Sequence, residues 1–179
     1  VSSLTFAHTP IVGNPLIHVG TFALDGTDAE RLVSGVTFNA VALTKANETA
    51  DDTNNFTVSS WYLAGPATSA ANVVVTFAGS CDNVGAYAIS LTGAHQTSPL
   101  DAATGGLTAT ANSASKSITV VAANSWVIDT VLQSGIDLGP FSPDANQTSR
   151  VNTTLGGVAN IFASTKGPVT AGATSMGWS

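Results

Sequence analysis

Val36-Thr37-Phe38-Asn39-Ala40-Val41-Ala42-Leu43-Thr44 is the stretch on which the fold turns. β-Branched and aromatic residues fill it, and Asn and Ala, rather than charges, interrupt it. The same grammar returns at Trp61-Tyr62-Leu63, at Val73-Val74-Val75-Thr76-Phe77 and at Ala86-Tyr87-Ala88-Ile89-Ser90-Leu91-Thr92-Gly93, ahead of Gln96-Thr97-Ser98-Pro99-Leu100. Short runs of this kind, punctuated by Gly, Pro, Asn or Asp, read as strands of an all-β protein. Strands are expected at residues 3–8, 16–24, 33–39, 56–64, 72–78, 84–92, 107–111, 115–121, 126–133, 157–164 and 173–178. In Ser117-Ile118-Thr119-Val120 the apolar residues take one face and the hydroxyls the other, which suits a sheet with one solvated face. Residues 72–77 are nearly all apolar and read as a central strand. No stretch keeps a helical period, and only residues 27–32 could make a single turn. Asp25-Gly26 and Gly65-Pro66 end strands, Gly105-Gly106 opens one, and Pro140, Pro143 and the polar residues around Asn146 mark a loop. The expectation is a single antiparallel β-sandwich, jelly-roll or Ig-like, of about ten strands, forming one domain over residues 1–179.

Charged residues make up 9% of the chain, far below the ~25% of an ordinary soluble domain. Ser and Thr together supply roughly a quarter of it. Hydroxyls and small residues therefore cover the surface, and such a surface is a solubility liability unless glycans or an assembly cover it. The formal net charge is −6, and Arg31, Lys45, Lys116, Arg150 and Lys166 are scattered. No basic patch is present to neutralise phosphates, which argues against nucleic acid and against an anionic membrane surface as partners. No 18-residue apolar run and no leader pattern stand in the sequence, so membrane insertion is not expected and a secretory leader would already have been removed. Cys81 is the only cysteine; it reads as a small buried residue near a turn, with an intermolecular disulfide or a reactive thiol as the other reading.

Residues with chemistry are few. His8, His18 and His95 show no metal-type spacing, no Gly-x-Ser-x-Gly elbow occurs, and no cysteine–histidine grouping stands out. Asp129, inside Trp126-Val127-Ile128-Asp129-Thr130, is the one acid in a strongly apolar strand; it reads as a turn or backbone-bonding acid before it reads as a general acid. No catalytic residue is assigned and no enzyme is expected. Asp25, Asp28 and Glu30 fall within one loop, and Asp51-Asp52 with Asn54-Asn55 forms a second cluster. Either could supply oxygen ligands for a structural Ca²⁺, though neither has the longer EF-hand pattern, and Asp-Gly is also a common turn. No other cofactor is implied. Trp61, Tyr62, Tyr87, Trp126 and Trp178 are the aromatic candidates for a sugar platform; all lie within expected strands, where core positions are the commoner role.

Four Asn-x-Ser/Thr sequons are present, at Asn47, Asn55, Asn146 and Asn152. Asn47, Asn55 and Asn146 are expected in loops. Asp144 stands two residues before Asn146, as in the extended acceptor of bacterial N-glycosylation, whereas Lys45, Thr53 and Arg150 stand at that position for the others. Asn146 therefore leads the candidates, followed by Asn47, Asn55 and Asn152.

The order of the strand signatures resembles a secreted β-sandwich domain of bacterial and archaeal surface proteins, whose members read roughly VTYNGVALT, WYL…P, ANVTVT and FTGVDQTTPL in that sequence. This chain departs from it with Ala40 in place of Gly and Ala94-His95 in place of the common VD. The resemblance implies an extracellular or cell-surface building block and no reaction. More loosely, the chain is similar in character to the subunits of glycan-coated, pilus-like extracellular fibres. The expected function is a non-enzymatic structural subunit of a glycosylated extracellular filament or surface assembly, its partners being further copies of itself, head to tail, and covalent glycans. Alternatives are a carbohydrate-binding or adhesive module, and a phage or virus surface or fibre protein. Residues 1–9 could be an exchanged terminal strand: Leu4 and Phe6 share one face, and Pro10, Gly13 and Pro15 follow as a break. The other reading of this segment pairs it within its own subunit.

Overall fold

The computed structural model describes residues 1–107, 113–134 and 141–179. Among these residues are fourteen β-strands and no helix, and the strand pairings are antiparallel. The all-β, antiparallel expectation is met. The chain divides into two compact units, Val1–Pro99 and Leu100–Ser179, and no change of composition marks the boundary.

The first unit holds β1 (Ser3–His8), β2 (Leu16–Leu24), β3 (Val33–Phe38), β4 (Val41–Ala42), β5 (Thr44–Asp51), β6 (Phe56–Ala64), β7 (Ala71–Phe77) and β8 (Asn83–Leu91). They form two four-stranded sheets, ordered β1-β7-β3-β4 and β5-β6-β2-β8. Alternation along each strand sends every second residue to one face. Val73, Val75 and Phe77 of β7, Val36 and Phe38 of β3, Ile17, Val19 and Ala23 of β2 and Trp61 of β6 thereby meet in one buried cluster fed by both sheets. Each Val, Ile or Phe buried there contributes roughly 1.5–3 kcal/mol. The sheets are joined where the decisive stretch changes allegiance. Leu43, between β4 and β5, donates its N–H to Val36 C=O at 2.8 Å and buries its side chain in the shared core.

β2, paired with β6 on one side and β8 on the other, is buried on both faces along eight of its nine residues. Its second face is built on Gly20, whose α-carbon lies under the Tyr87 ring, with His18 and Phe22 against the same ring at centroid distances of 5.7 and 6.1 Å. A Cβ at position 20 would collide with that ring.

The second unit holds β9 (Ala114–Val120), β10 (Ser125–Ile128), β11 (Val131–Ser134), β12 (Thr148–Leu155), β13 (Ala159–Val169) and β14 (Gly172–Trp178). The eleven-residue β13 is its spine: β12 pairs along one edge, and β10 and β11 share the other. β14 pairs with β9. Phe141, Phe162 and Trp178 stack at 5.4 and 5.0 Å, with Val131 packed against them.

Several strands depart from the sequence reading. β5 and β12, both rich in polar residues, fall where loops were expected. The expected strand at 126–133 is broken at Asp129-Thr130 into β10 and β11. The strand expected at 107–111 lies outside the described residues except for Leu107, as does Pro140. Within the opening stretch, Asn39 (φ 49°) and Ala40 (φ 62°) make a two-residue left-handed turn closed by the Phe38–Val41 pair. Such a turn matches the twist of a hairpin, but it suits Asn-Gly rather than Asn-Ala.

Left-handed backbone costs a non-glycine residue about 1–2 kcal/mol, and glycine returns part of that gain as unfolded-chain entropy. Ala40→Gly is therefore expected to raise stability by up to about 1 kcal/mol, seen as a rise of about 2–4 °C in Tm by calorimetry. A fall in Tm would refute the turn assignment.

Candidate functional site

β1 is paired at home. All six residues match β7 in an unbroken register, from Ser3 opposite Thr76 to His8 opposite Ala71. The pairing extends to the first residues, since Phe77 N–H donates to Ser2 C=O at 2.9 Å and Cys81 N–H to Val1 C=O at 3.0 Å. Leu4 and Phe6 lie against the core of the same unit. Of the two arrangements open to residues 1–9, this structure holds the one within the subunit. His8 Nε2 and Ser90 Oγ are 2.7 Å apart, which latches β1 to β8. A histidine–serine pair is also the start of a nucleophile–base arrangement. Among the described residues, however, no carboxylate is hydrogen-bonded to His8, so nothing completes it as a triad.

The two acid clusters that suggested calcium converge on Arg31 instead. Its guanidinium, fully buried, donates from Nη1 to Asp25 C=O and to Asp28 Oδ1, and from Nη2 to Asp52 Oδ1, each at 2.8 Å. Asp25 and Asp51 also cap backbone, and Asp51 Oδ2 accepts from Asn54 Nδ2–H at 2.8 Å. Asp25 accepts from Thr27 N–H (2.7 Å) and Asp82 N–H (3.1 Å), and Asp51 accepts from Thr53 and Asn54 N–H at 2.9 and 3.1 Å. Cys81 belongs to the same knot: it is buried and donates its S–H to Glu30 C=O at 3.2 Å. Three connections, 25–32, 52–55 and 78–82, are thus tied at one end of the first unit. The cation that Asp28 and Asp52 meet is the guanidinium, and among the described residues no three or more His, Cys, Asp or Glu side chains are grouped to hold a metal.

The other titratable groups also serve the fold. His95 Nδ1 accepts from Ser98 N–H at 3.0 Å, closing a surface turn. Asp129 fills the break between β10 and β11. Its carboxylate accepts from Ser164 N–H (2.5 Å), Ser164 O–H (2.8 Å) and Trp178 Nε1–H (2.9 Å). Burial pushes its carboxyl above the usual range while these donors hold it down. His18 is buried with Nδ1 unpartnered, and burial lowers its pKa from 6.5 to about 4.

The sequons differ in setting. Asn146 is exposed, in left-handed backbone (φ 67°) at a turn. Gln147, the middle residue of its sequon, points the other way. It donates to Ser164 Oγ (2.8 Å) and Gly177 C=O (3.0 Å) and accepts from Gly177 N–H (2.8 Å). That pin turns Asn146 out to solvent. Asn55 is likewise exposed in a left-handed turn, but the hydroxyl-bearing Thr57 of its sequon is buried. Asn47 lies within β5 rather than in a loop, half-buried, its Oδ1 accepting from Glu48 N–H at 2.7 Å. Asn152 is exposed on β12 and donates from Nδ2 to Phe141 C=O at 2.9 Å.

Of the aromatic candidates, Trp61, Tyr87 and Trp178 are buried and Tyr62 is half-buried. Trp126 is 44% exposed and its indole lies over Gly167, where a Cβ would come within 2.8 Å of the ring. A shallow groove of about 540 Å³ on the β1-β7-β3-β4 sheet is lined by Thr37, Asn39, Asn72, Val74 and three alanines, with no charged group.

Two substitutions test these assignments. Arg31→Lys cannot reproduce a three-acceptor fork and is expected to cost about 1–3 kcal/mol in urea unfolding. Rescue by added calcium would instead mark the acids as a cation site. For His18, the folded pKa lies below the unfolded one, so the unfolded chain binds the extra proton between pH 6.5 and about 4. Its contribution to stability is complete above pH 6.5 and is lost as pH falls towards 4, by roughly 3 kcal/mol at 1.36 kcal/mol per pH unit. His18→Leu should flatten that limb of the stability–pH curve; an unchanged limb would clear His18 of the effect.

No protein-family model, no curated protein and no solved structure matches this chain.

Proposed function

We propose that this chain is a non-enzymatic structural subunit of an extracellular, glycosylated filament or surface assembly, with its first unit built as a β-sandwich. The observation that carries the reading is the β1-β7-β3-β4 sheet, whose four strands contain no Asp, Glu, Lys or Arg. Its outward residues, among them Ser3, Thr5, Ala7, Thr37, Asn72 and Thr76, are hydroxyls, amides and small groups. A neutral face of this kind favours association over free solution. The titratable residues support the same reading, since the contacts of Arg31, Asp129, His18 and His95 are those of structural clamps and turns. The two sheets of the first unit feed one core, which supports the sandwich.

One observation favours a second reading. A half-exposed indole packed against a glycine, as Trp126 is against Gly167, is a surface on which a pyranose ring can stack, as in a carbohydrate-binding module.

The test is electron microscopy of native material together with intact mass and peptide mapping. Fibres or layers, with added mass on the peptide containing Asn146, are the expected result. Uniform monomers at the bare 17.9 kDa would overturn it. Loss of sugar binding on Trp126→Ala, in a protein that stays monomeric, would establish the second reading in its place.

A further inference from the structure

Among the described residues, the open edges of the first unit are not treated alike. β5 carries Lys45, Glu48 and Asp51 and a bulge between Lys45 and Asn47. β4 is only two residues long. β8 has no exposed residue along its length. β1 has none of these protections. It runs six residues with no formal charge, no proline and no register shift, and Ser3, Thr5 and Ala7 are exposed. Sheets ordinarily blunt such an edge, because its unpaired N–H and C=O groups template another strand.

The direction of those groups follows from one bond. Ser2 C=O accepts from Phe77 N–H, so the even-numbered residues turn their backbone groups towards β7. By alternation Ser3, Thr5 and Ala7 aim both N–H and C=O out of the sheet. The core face is unfinished at the same place. Leu4 and Phe6 are only half-buried, whereas Val73 and Val75 of the adjacent β7 are fully buried.

We propose that β1 is a pairing edge for a second copy of this chain, joined antiparallel about Thr5. The segment is self-complementary in that register. Thr5 faces the second copy's Thr5, Ser3 faces Ala7, and Leu4 faces Phe6. The pairs that must exchange N–H···O bonds are those at Ser3, Thr5 and Ala7, whose groups already point outward. Leu4 and Phe6 meet their counterparts on the core face and complete its cover, and no like charges are opposed. The contact is isologous, so it closes as a dimer, and a filament would grow from such dimers through a different surface. The proposal deepens the assembly reading by naming one of its contacts.

Thr5→Pro is the selective probe. It removes an N–H that points away from β7, so the pairing at home loses no bond, while the two-fold centre loses its bonds and gains a ring. Sedimentation of the full chain across a dilution series should show dimer for the parent and at least a tenfold weaker dimer for Thr5→Pro. Should that variant fail to fold by circular dichroism, cysteine pairs decide. A mixture of Ser3→Cys and Ala7→Cys should form a disulfide-linked dimer under oxidation, and neither alone should, with buried Cys81 as the common background. A parent monomeric throughout, a Thr5→Pro dimer of parental strength, or cross-linking by the single variants equal to that of the mixture would overturn the proposal. Fibres in native material with an uncross-linked mixture would overturn this contact alone; a cross-linked dimer with no larger assembly would overturn the filament reading alone.

Discussion

The first unit depends on a single shared apolar layer, in which the inward rows of β7 and β3 meet the inward row of β2. Val73, Val75, Phe38, Val19 and Ile17 are all removed from water, and they come from strands in two different sheets. Neither sheet could stand without the other, because each would expose that row. The layer also fixes register. A slip of one residue in β7 would send Asn72, Val74 and Thr76 inward and all three of its core side chains out. The change of sheet at Leu43 is what makes the layer reachable from one continuous stretch of sequence, since β3 and β4 serve one sheet and β5 the other.

Polar clamps close what the apolar layer leaves open. At one end of the first unit Arg31 satisfies a backbone carbonyl and two carboxylates from connections far apart in sequence. In the second unit Asp129 performs the equivalent task at a strand break, where its carboxylate takes the Ser164 N–H while its own N–H donates to Ser164 C=O at 3.1 Å. Both groups are costly to bury, and both are held by several hydrogen bonds at once, which is the condition under which burial of charge is tolerated. Thr21, Ser59 and Trp61 repeat the logic inside the core with neutral groups, Trp61 Nε1–H donating to Ser59 Oγ at 2.7 Å.

Much of this was legible in the sequence and some of it was not, for separable reasons. The strands at 3–8, 16–24 and 56–64 were read with the bounds they have, because β-branched and aromatic side chains dominate them. No strand is expected from sequence at β5 or β12, where Lys, Asn, Glu, Asp and Arg interrupt any strand pattern. They are strands because β6 and β13 offer them a ladder, a tertiary effect that local propensity does not register. The acids were recognised as a cluster, but their partner was not. Asp28 and Asp52 are separated by the whole of β3, β4 and β5, and nothing near Arg31 in sequence marks it as the centre. Asn146 lies between strands, in the loop region expected for it, whereas Asn47, expected in a loop, lies within β5.

A chain so poor in charge cannot guard every edge with charge, and where it spends the little it has is informative. β5 bears Lys45 and Glu48, a bulge at Lys45/Asn47 and the Asn47 sequon. β12 bears Arg150, a bulge between Ser149 and Val151 and the Asn152 sequon. In two different sheets the same three devices coincide on a strand that pairs along one side only. Two of these devices hinder the approach of another strand by different routes: charge by desolvation and the bulge by breaking the hydrogen-bond ladder. All three are absent from β1, which also lacks the shortness of β4 and the burial of β8.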